Sequence, residues 1–390
     1  MPKKKIAFFL SDFIIGGLEK SFLDFLDIID RDRYEITVFL PNEDGAWVGR
    51  LREKCEVRIF EIMAFKTVLM TELKALHFLG VLKRLFFRIL SRYHYGRNYR
   101  KSREYLVRSM PVMKEKYDCA VAYQILNLDC VIGCLCCTDA VVKVGWVHGN
   151  YGLDEREKIG KRWYHKFDKV FCVSKSAQDY FVARYNALSH KSEVLHNVIN
   201  PDRIQNLSEL KIQDISEDSG IKLVTVGRLS KEKGQNMVPQ IAYLLRNDGY
   251  DIKWYLIGDG SLREIIENEI KTYKVEDSVF LLGSKDNPYP YIQQCDIYVQ
   301  TSYTEGWGLT VSEAKILCKP IVTTDAGVMS EQIQSGVNGI IVPDATPEAL
   351  AAGIEQLILF PQLRNDFETR LAYEKTSASE EIQKFYALMS

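Results

Sequence analysis

The chain has 390 residues, and its 51 Lys and Arg nearly balance 52 Asp and Glu, for a formal net charge of −1 at pH 7. This length favours two domains, each able to bury its own core, and the composition is that of an ordinary globular protein. No apolar run reaches transmembrane length, and Ile6–Leu10 is too short for a secretory signal. Nine cysteines in such a chain predict reduced thiols and a cytoplasmic location.

The first half of the chain alternates segments typical of strands and of helices. Helical stretches such as Leu18–Ile29 and Trp163–Phe167 lie between short apolar runs rich in β-branched residues. Such alternation predicts parallel, doubly wound sheets. The predicted strands are Lys5–Leu10, Tyr34–Leu40, Val57–Phe60, Cys119–Tyr123, Val141–Val147, Val170–Val173 and Val194–Leu195.

A glycine pair follows the first predicted strand and opens a helix. Gly16 and Gly17 let the backbone approach a ligand closely, and the helix start offers amide groups to a phosphate. A simple tight turn accounts for the same two residues equally well.

Residues 66–116 differ in character from the rest of the chain. They carry six lysines and seven arginines against three glutamates. An apolar stripe (Leu82, Leu85, Phe86 and Ile89) lies roughly opposite a basic one (Arg84, Arg88 and Arg92) on a predicted helix. This pattern favours a helix lying on an anionic membrane surface, with a core-packed helix and a solvated basic face as the alternative. Nucleic-acid binding is disfavoured, because the charge is confined to one insertion of an otherwise acidic chain.

Two further features of the first half invite a chemical interpretation. Cys130, Cys134, Cys136 and Cys137 cluster, but no second Cys or His pair at zinc spacing follows, so we predict buried helix residues and no metal site. His148 ends the strand Val141–Val147 and precedes a glycine. A single histidine is more often structural, although the carboxyl end of a strand is a position typical of ligand contacts.

The second half begins after a polar stretch, Asn206–Gly220, that we interpret as a linker. The apolar run Ile221–Gly227 then predicts a buried parallel strand, followed by Arg228 and, five positions later, Lys233. Two cations at the carboxyl end of a sheet suit phosphate, although a solvated charged loop has the same composition.

The stretch Glu305–Ala314 places two carboxylates eight residues apart. Gly306, Trp307 and Gly308 form a tight turn after a predicted strand, and Leu309–Leu317 predicts a short helix with Glu313 in its opening turns. Carboxylates accept hydrogen bonds from sugar hydroxyls, and a helix N-terminus favours phosphate. Together these groups suit a nucleotide-sugar, although an ordinary helix N-terminus with acidic residues in its first turns has the same pattern.

These motifs together resemble the donor domain of family 4 glycosyltransferases, whose fold is GT-B. The chain carries Gly227-Arg228-Leu229 with Lys233-Gly234, then Leu256-Ile257-Gly258-Asp259-Gly260, then Glu305 to Ala314, with Trp307 where the family usually has Phe. The resemblance is strong from about Lys222 to Pro343. It implies two Rossmann-like domains, 1–205 for the acceptor and 206–372 for the donor, facing across a cleft. It also implies a helix within 373–390 that crosses back to the first domain.

The resemblance also implies roles for individual residues. Arg228, Lys233 and the Gly16-Gly17 amides would hold the donor diphosphate, Glu313 the ribose and Glu305 the sugar hydroxyls, with His148 beside the donor sugar and Lys285 near the base. The implied catalytic residues are Glu305, His148, Arg228 and Lys233. The implied donor-binding residues are Gly16, Gly17, Arg228, Lys233, Lys285, Glu305, Gly306, Trp307, Gly308, Leu309 and Glu313.

We therefore expect a retaining, metal-independent glycosyltransferase with no cofactor. The donor would be a UDP-sugar, or else a GDP-sugar, and the acceptor a lipid-linked glycan of a bacterial surface polysaccharide, so that the enzyme would sit on the inner face of the cytoplasmic membrane. One alternative is a GT-B nucleotide-sugar epimerase, which needs no acceptor. Another is an inactive membrane-associated relative, which would have no need of Glu305, Glu313, Arg228 and Lys233.

Overall fold

The computed structural model describes residues 2–11, 13, 16–60, 78–94, 97, 101–102, 105, 113–149, 162–215, 220–374 and 378–389. The chain forms two compact units: unit 1 comprises Met1–Val198 and Ser379–Ser390, and unit 2 comprises Ile199–Ala378. The boundary predicted between residues 205 and 206 falls inside a helix of unit 2, Pro201–Ser208. Most of 66–116 lies outside the described residues, but the helix Phe78–His94 within it is described.

Unit 1 contains a seven-stranded sheet with the order β3-β2-β1-β4-β5-β6-β7, and every neighbouring pair is parallel. The inner strands are largely apolar and become buried toward their carboxyl ends, as the helix-covered faces of a doubly wound sheet require, whereas the two edge strands are at most partly buried. The strands are β1 (Lys4–Phe9), β2 (Tyr34–Leu40), β3 (Glu56–Ile59), β4 (Lys116–Ala122), β5 (Asp139–Val147), β6 (Lys169–Cys172) and β7 (Ser192–Val194).

The described helices of unit 1 connect these strands or pack on them. Asn127 caps the helix that contains the cysteine cluster. Cys130, Cys134 and Cys137 are buried among apolar side chains, as predicted, whereas Cys136 is only partly buried. The helices are α1 (Gly17–Ile28), α2 (Val48–Lys54), α3 (Phe78–His94), α4 (Leu128–Cys136), α5 (Lys175–Arg184) and, from the far end of the chain, α13 (Ala378–Ala387).

The last described helix completes the core of unit 1. Phe385 is fully buried, with its ring 5.2 Å from that of Phe25 and 6.1 Å from that of Phe8. Glu381, on the same helix, accepts hydrogen bonds from the backbone and ring of His196 at 3.0 and 2.9 Å. Residues 185 to 377 positions apart in sequence are therefore in contact in unit 1.

Unit 2 contains a six-stranded sheet with the order β10-β9-β8-β11-β12-β13, again parallel throughout. Its strands are β8 (Ile221–Val226), β9 (Ile252–Ile257), β10 (Val279–Gly283), β11 (Ile297–Gln300), β12 (Ile321–Thr324) and β13 (Ile340–Val342). Its helices are α6 (Pro201–Ser208), α7 (Val238–Asn247), α8 (Arg263–Tyr273), α9 (Tyr289–Gln294), α10 (Leu309–Ile316), α11 (Pro347–Leu359) and α12 (Pro361–Tyr373).

Apolar clusters cover both faces of this second sheet. Trp254 is fully buried, and its indole N–H donates to Thr225 Oγ1 at 3.0 Å, which satisfies the one polar atom of the ring. Strand order reverses beside β8, since β9 lies on one side of it and β11 on the other. The carboxyl ends of β8 and β11 therefore flank a topological switch point, where open α/β sheets bind ligands.

The predicted fold class, two parallel-sheet α/β domains, is confirmed. Part of the predicted linker is wrong, however: residues 206–208 end α6, and Asp214 is bound to Lys285 and Tyr291 of unit 2. The polar residues 206–208 and Asp214 therefore belong to unit 2 and are not part of a linker. Within the described residues, no helix combines the length and hydropathy that a bilayer span requires.

Candidate functional site

Glycines allow the loops after β8 and β9 to pack backbone against backbone. Gly258 has φ +146°, and a Cβ there would overlap the carbonyl of Gly227. At Gly260 a Cβ would collide with the carbonyl of Leu229. The two loops are joined by hydrogen bonds, including Leu229 N to Asp259 O at 3.1 Å. This close approach fixes the start of the segment that carries Arg228 and Lys233.

A short turn then brings Lys233 to the end of β11. Residues Lys231–Lys233 form a single 3₁₀ turn that ends at Gly234, whose φ of +67° is readily adopted only by glycine. Thr301 Oγ1 donates to the carbonyl of Lys233 at 2.8 Å, and Tyr303 N donates to the carbonyl of Glu232 at 2.9 Å. These two hydrogen bonds join the turn after β8 to the segment that follows β11.

Lys233 and Glu305 form a bidentate ion pair. The Nζ atom lies 2.6 Å from Oε1 and 2.7 Å from Oε2 of the carboxylate. The Glu305 side chain is 7% exposed and that of Lys233 is 26% exposed, so the pair is reached by solvent from the lysine side. Such a cation offsets part of the free-energy cost of burying a carboxylate.

Two polar residues that the sequence analysis missed hold Glu305 in place. Gln300 Nε2 and Ser302 Oγ both donate to Glu305 Oε1, at 3.0 and 2.7 Å. Gln300 in turn accepts at Oε1 from the hydroxyl of the fully buried Tyr298, at 2.8 Å. The only signal in the sequence is a polar run, Gln300 to Ser302, directly after a buried strand.

The glycine turn and helix predicted after Glu305 are present. Gly308 caps α10 in the left-handed region at φ +82°, and Trp307, just before it, accepts a hydrogen bond at its carbonyl from Gln332. Glu313 lies within this helix and is 1% exposed. Burial raises the pKa of Tyr298 far above its usual value, and the nearby charges of Glu313 and Glu305 add to this effect. Both predicted carboxylates therefore lie close to one tyrosine.

The other predicted donor-binding residues of unit 2 have different surroundings. Arg228 is exposed, and no residue in the described part of the chain forms an ion pair with it. Lys285 follows β10 and donates to Asp214 at 2.6 Å, and this hydrogen bond raises the pKa of Lys285. Tyr291 donates to the same carboxylate at 2.8 Å. Asp214 is a further contact that the sequence analysis did not find.

The predicted site residues of unit 1 lie at the carboxyl edge of its sheet. Gly16 is the extended N-cap of α1 and Gly17 its first residue, and the neighbouring Ser21 donates to Asn197 at 2.8 Å. The His148 ring lies 4.5 Å from that of Tyr123, and its Nε2 is buried without a hydrogen-bond partner among the described residues. Burial lowers the pKa of His148 to about 3, so the ring is neutral at neutral pH.

The geometry of unit 2 thus brings Lys233 and Glu305 into direct contact, and both Glu305 and Glu313 lie near Tyr298. Residues 208–372 match the family Glycosyl transferases group 1. The matched residues include Arg228, Lys233, Lys285, Glu305 and Glu313.

Curated relatives and a solved structure agree with the match. The O-antigen biosynthesis glycosyltransferase WclY of Escherichia coli is 28% identical over 187 residues, 47% of this chain and 51% of WclY. The N-acetylgalactosamine-N,N'-diacetylbacillosaminyl-diphospho-undecaprenol 4-alpha-N-acetylgalactosaminyltransferase of Campylobacter jejuni is 23% identical over 228 residues, 57% of this chain and 60% of that protein. The chain spans about half the length of the curated relatives that it matches.

The fold extends over nearly the whole chain. Anabaena HepE, solved in complex with UDP and glucose, superposes with a TM-score of 0.71 at 18% identity, covering 98% of this chain and 98% of HepE. At this identity the likeness concerns the fold alone. The two parallel-sheet units therefore have the GT-B fold.

Proposed function

We propose that the protein is a retaining glycosyltransferase that transfers a sugar from a nucleoside-diphosphate donor to a lipid-linked glycan. The observation that carries this proposal is the bidentate Lys233–Glu305 pair at the carboxyl edge of the unit 2 sheet, beside the exposed Arg228. A cation and a carboxylate held together at a switch point suit a ligand that carries both phosphate and hydroxyl groups.

The two cations would serve the leaving diphosphate. Arg228 offers a solvent-facing guanidinium fork, and Lys233 adds a point charge held in place by Glu305. Negative charge develops on the diphosphate as its bond to the sugar breaks, and fixed cations stabilise it there. We therefore propose that the reaction proceeds without a metal ion or cofactor.

The carboxylates would hold the sugars of the donor. Glu305 Oε1 already accepts from Gln300, Ser302 and Lys233, whereas Oε2 accepts from Lys233 and keeps capacity for a hydroxyl. Glu313, buried in α10, would bind the ribose, with Gly306, Trp307, Gly308 and Leu309 forming the wall between the two carboxylates. Lys285 would contact the base through the part of its ammonium group not engaged by Asp214.

Retention follows if the acceptor attacks the face from which the diphosphate leaves. The bond between the anomeric carbon and the phosphate oxygen breaks, the acceptor oxygen bonds to that carbon, and its proton passes to the departing phosphate oxygen. For unit 1 we propose a part in the same reaction through the Gly16-Gly17 amides and the neutral His148 ring, as the family resemblance implies.

Several relatives support the choice of substrates. WclY acts in O-antigen biosynthesis, the Campylobacter jejuni enzyme is named for a diphospho-undecaprenol acceptor, and HepE was solved with UDP. We propose a UDP-sugar donor, with a GDP-sugar as the second choice, and an acceptor of bacterial surface-polysaccharide synthesis at the inner face of the cytoplasmic membrane.

The proposal is tested by thermal shift of the purified chain against UDP-, GDP-, ADP- and CDP-sugars in EDTA, followed by transfer assays with the stabilising donor. A ligand that binds only the folded protein raises the melting temperature. We expect one donor to stabilise the protein, and its sugar to appear in the product with unchanged anomeric configuration by NMR. An inverted product would overturn the retaining mechanism, and conversion of the free donor without acceptor would identify an epimerase.

A further inference from the structure

Helix α3 turns an apolar stripe toward solvent. Leu82, Phe86, Ile89 and Tyr93 are 62%, 58%, 59% and 61% exposed, and Leu85 between them is 38% exposed. These positions are separated by three or four residues, so they share one face of the helix. Soluble proteins seldom leave a contiguous patch of large apolar side chains uncovered without a use for it.

The opposite side of the helix contacts residues that follow it in the chain. Ser91 is buried, and its carbonyl accepts a hydrogen bond from Ser102 Oγ at 2.8 Å. Phe87 stacks on Tyr105 with 6.0 Å between ring centroids, and the His94 ring lies 5.6 Å from the same tyrosine. The alternative of a core-packed apolar stripe with a solvated basic face therefore does not describe this helix, because the apolar stripe is the outward one.

Positive charge borders the stripe. Lys83 and Arg92 are exposed, and at about 100° per residue they lie on opposite sides of the apolar face. The guanidinium of Arg97 lies 4.9 Å from the centroid of the Tyr93 ring, at the end of the stripe. The sequence Phe78–His94 contains no Asp or Glu. The surface is thus apolar at its centre and positively charged at its rim.

This combination selects among the possible partners. A second copy of the same surface would bring like charges together, which is unfavourable where water is excluded. The phosphates of a nucleic acid would pair with the cations, but they would make no favourable contact with an aliphatic stripe. An anionic bilayer supplies both an acyl boundary for the stripe and headgroup charge for the rim.

We propose that the outward face of α3, formed by Leu82, Leu85, Phe86, Ile89 and Tyr93 with Lys83 and Arg92 at its rim, docks on an anionic lipid bilayer. The helix lies in the plane of the membrane surface and does not cross it. Docking would keep the enzyme where a lipid-linked acceptor is found. Only this purpose, and not the docking itself, rests on the proposed function.

The test is co-sedimentation of the full chain with vesicles. The lipids are phosphatidylcholine alone, or phosphatidylcholine with about one third phosphatidylglycerol. We expect binding to the anionic vesicles, weakened by salt, and at least about tenfold weaker binding for Leu82→Ser/Phe86→Ser/Ile89→Ser. Lys83→Gln/Arg92→Gln should reduce the preference for anionic lipid. Leu359→Ser, which changes another exposed leucine in unit 2, is the matched control and should bind like the unaltered chain.

Hydrogen exchange of the unaltered chain keeps the test independent of how the variants fold. Anionic vesicles should slow exchange in residues 78–94 and leave α7 unchanged. Absence of vesicle binding, equal binding by all variants, or a dimer that only the triple variant loses would overturn the proposal. Vesicle binding by a protein that transfers no sugar would leave the docking surface standing and refute the proposed function alone.

Discussion

Lys233 donates to both carboxylate oxygens of Glu305, although the two residues are 72 positions apart in sequence. The contact joins the turn after β8 to the loop after β11, the two segments that flank the switch point of the unit 2 sheet. The cation that we propose for the donor phosphate and the carboxylate that we propose for the donor sugar are thus in direct contact. A donor would bind beside charges that are already aligned, with little reorganisation.

Replacing Lys233 by alanine should abolish most transfer activity. The loss of one preorganised cation at a leaving group costs on the order of 2–4 kcal/mol of transition-state stabilisation. We expect kcat to fall by about 30- to 1,000-fold, with Lys233→Arg intermediate. The matched control is Lys231→Ala, which removes an exposed lysine from the same 3₁₀ turn. Near-normal turnover of Lys233→Ala in a steady-state assay would contradict the phosphate assignment.

Gln300 should act as a positioning residue. Gln300→Leu removes the amide that donates to Glu305 and accepts from Tyr298, and leaves the buried Tyr298 hydroxyl with the more distant carbonyl of Val226, at 3.5 Å, as its acceptor. Such a loss costs about 1–3 kcal/mol of the free energy of unfolding. We also expect a lower kcat, because Glu305 loses one of its restraints.

A double-mutant cycle with Tyr298→Phe tests this network by urea denaturation. If the two side chains act through the shared hydrogen bond, the double variant should be destabilised by less than the sum of the single variants. Strict additivity would show that Gln300 does not depend on Tyr298.

Gly258→Ala should destabilise unit 2 far more than Gly249→Ala. Both glycines have positive φ, +146° and +91°, but a Cβ at Gly258 overlaps the Gly227 carbonyl whereas nothing lies within 4 Å of one at Gly249. Gly249→Ala is therefore destabilised only by backbone strain, which costs about 1–2 kcal/mol. Urea midpoints should separate the two variants clearly, and similar midpoints would show that the β8 and β9 loops can move apart.

His148 should make the protein less stable in mild acid. Its folded pKa is depressed to about 3, whereas an unfolded histidine titrates near about 6.5. Between these values the unfolded chain binds a proton that the folded chain does not, so the free energy of unfolding falls as the pH falls through this window. The slope contributed by one group is at most about 1.4 kcal/mol per pH unit.

His148→Phe removes this proton uptake. Between pH 7 and pH 5 the free energy of unfolding of the variant should therefore fall less than that of the unaltered chain. Urea unfolding at several pH values measures it. His190→Asn, at an exposed histidine, should run parallel to the unaltered chain. A His148→Phe profile that also ran parallel would mean that the ring is protonated in the folded protein.

The sequence was sufficient to predict elements whose pattern is local. The predicted strand Tyr34–Leu40 is observed with the same bounds, and the predicted helix Leu309–Leu317 is observed as Leu309–Ile316. Buried parallel strands are continuous apolar runs, and glycines mark the turns that end them, so both signals lie within a few residues.

Contacts between distant segments could not be predicted in the same way. Gln300 has the appearance of an ordinary strand end, and Asp214 that of a linker residue, until the fold places Glu305 beside one and Lys285 beside the other. Similarly, hydrophobic periodicity showed that α3 is amphipathic but could not show which side faces outward. That depends on Ser102 and Tyr105, which contact the helix from beyond its end.

The burial of Phe385 among side chains from the other end of the sequence has a consequence for synthesis. Unit 2 is continuous from residue 199 to 378, so all of its residues are synthesised before residues 379–390. Most of unit 1 is synthesised earlier still, but until residues 379–390 are added Phe8 and Phe25 lack the Phe385 ring that packs against them. We therefore expect unit 1, although most of it is made first, to reach its native packing only once α13 has been added.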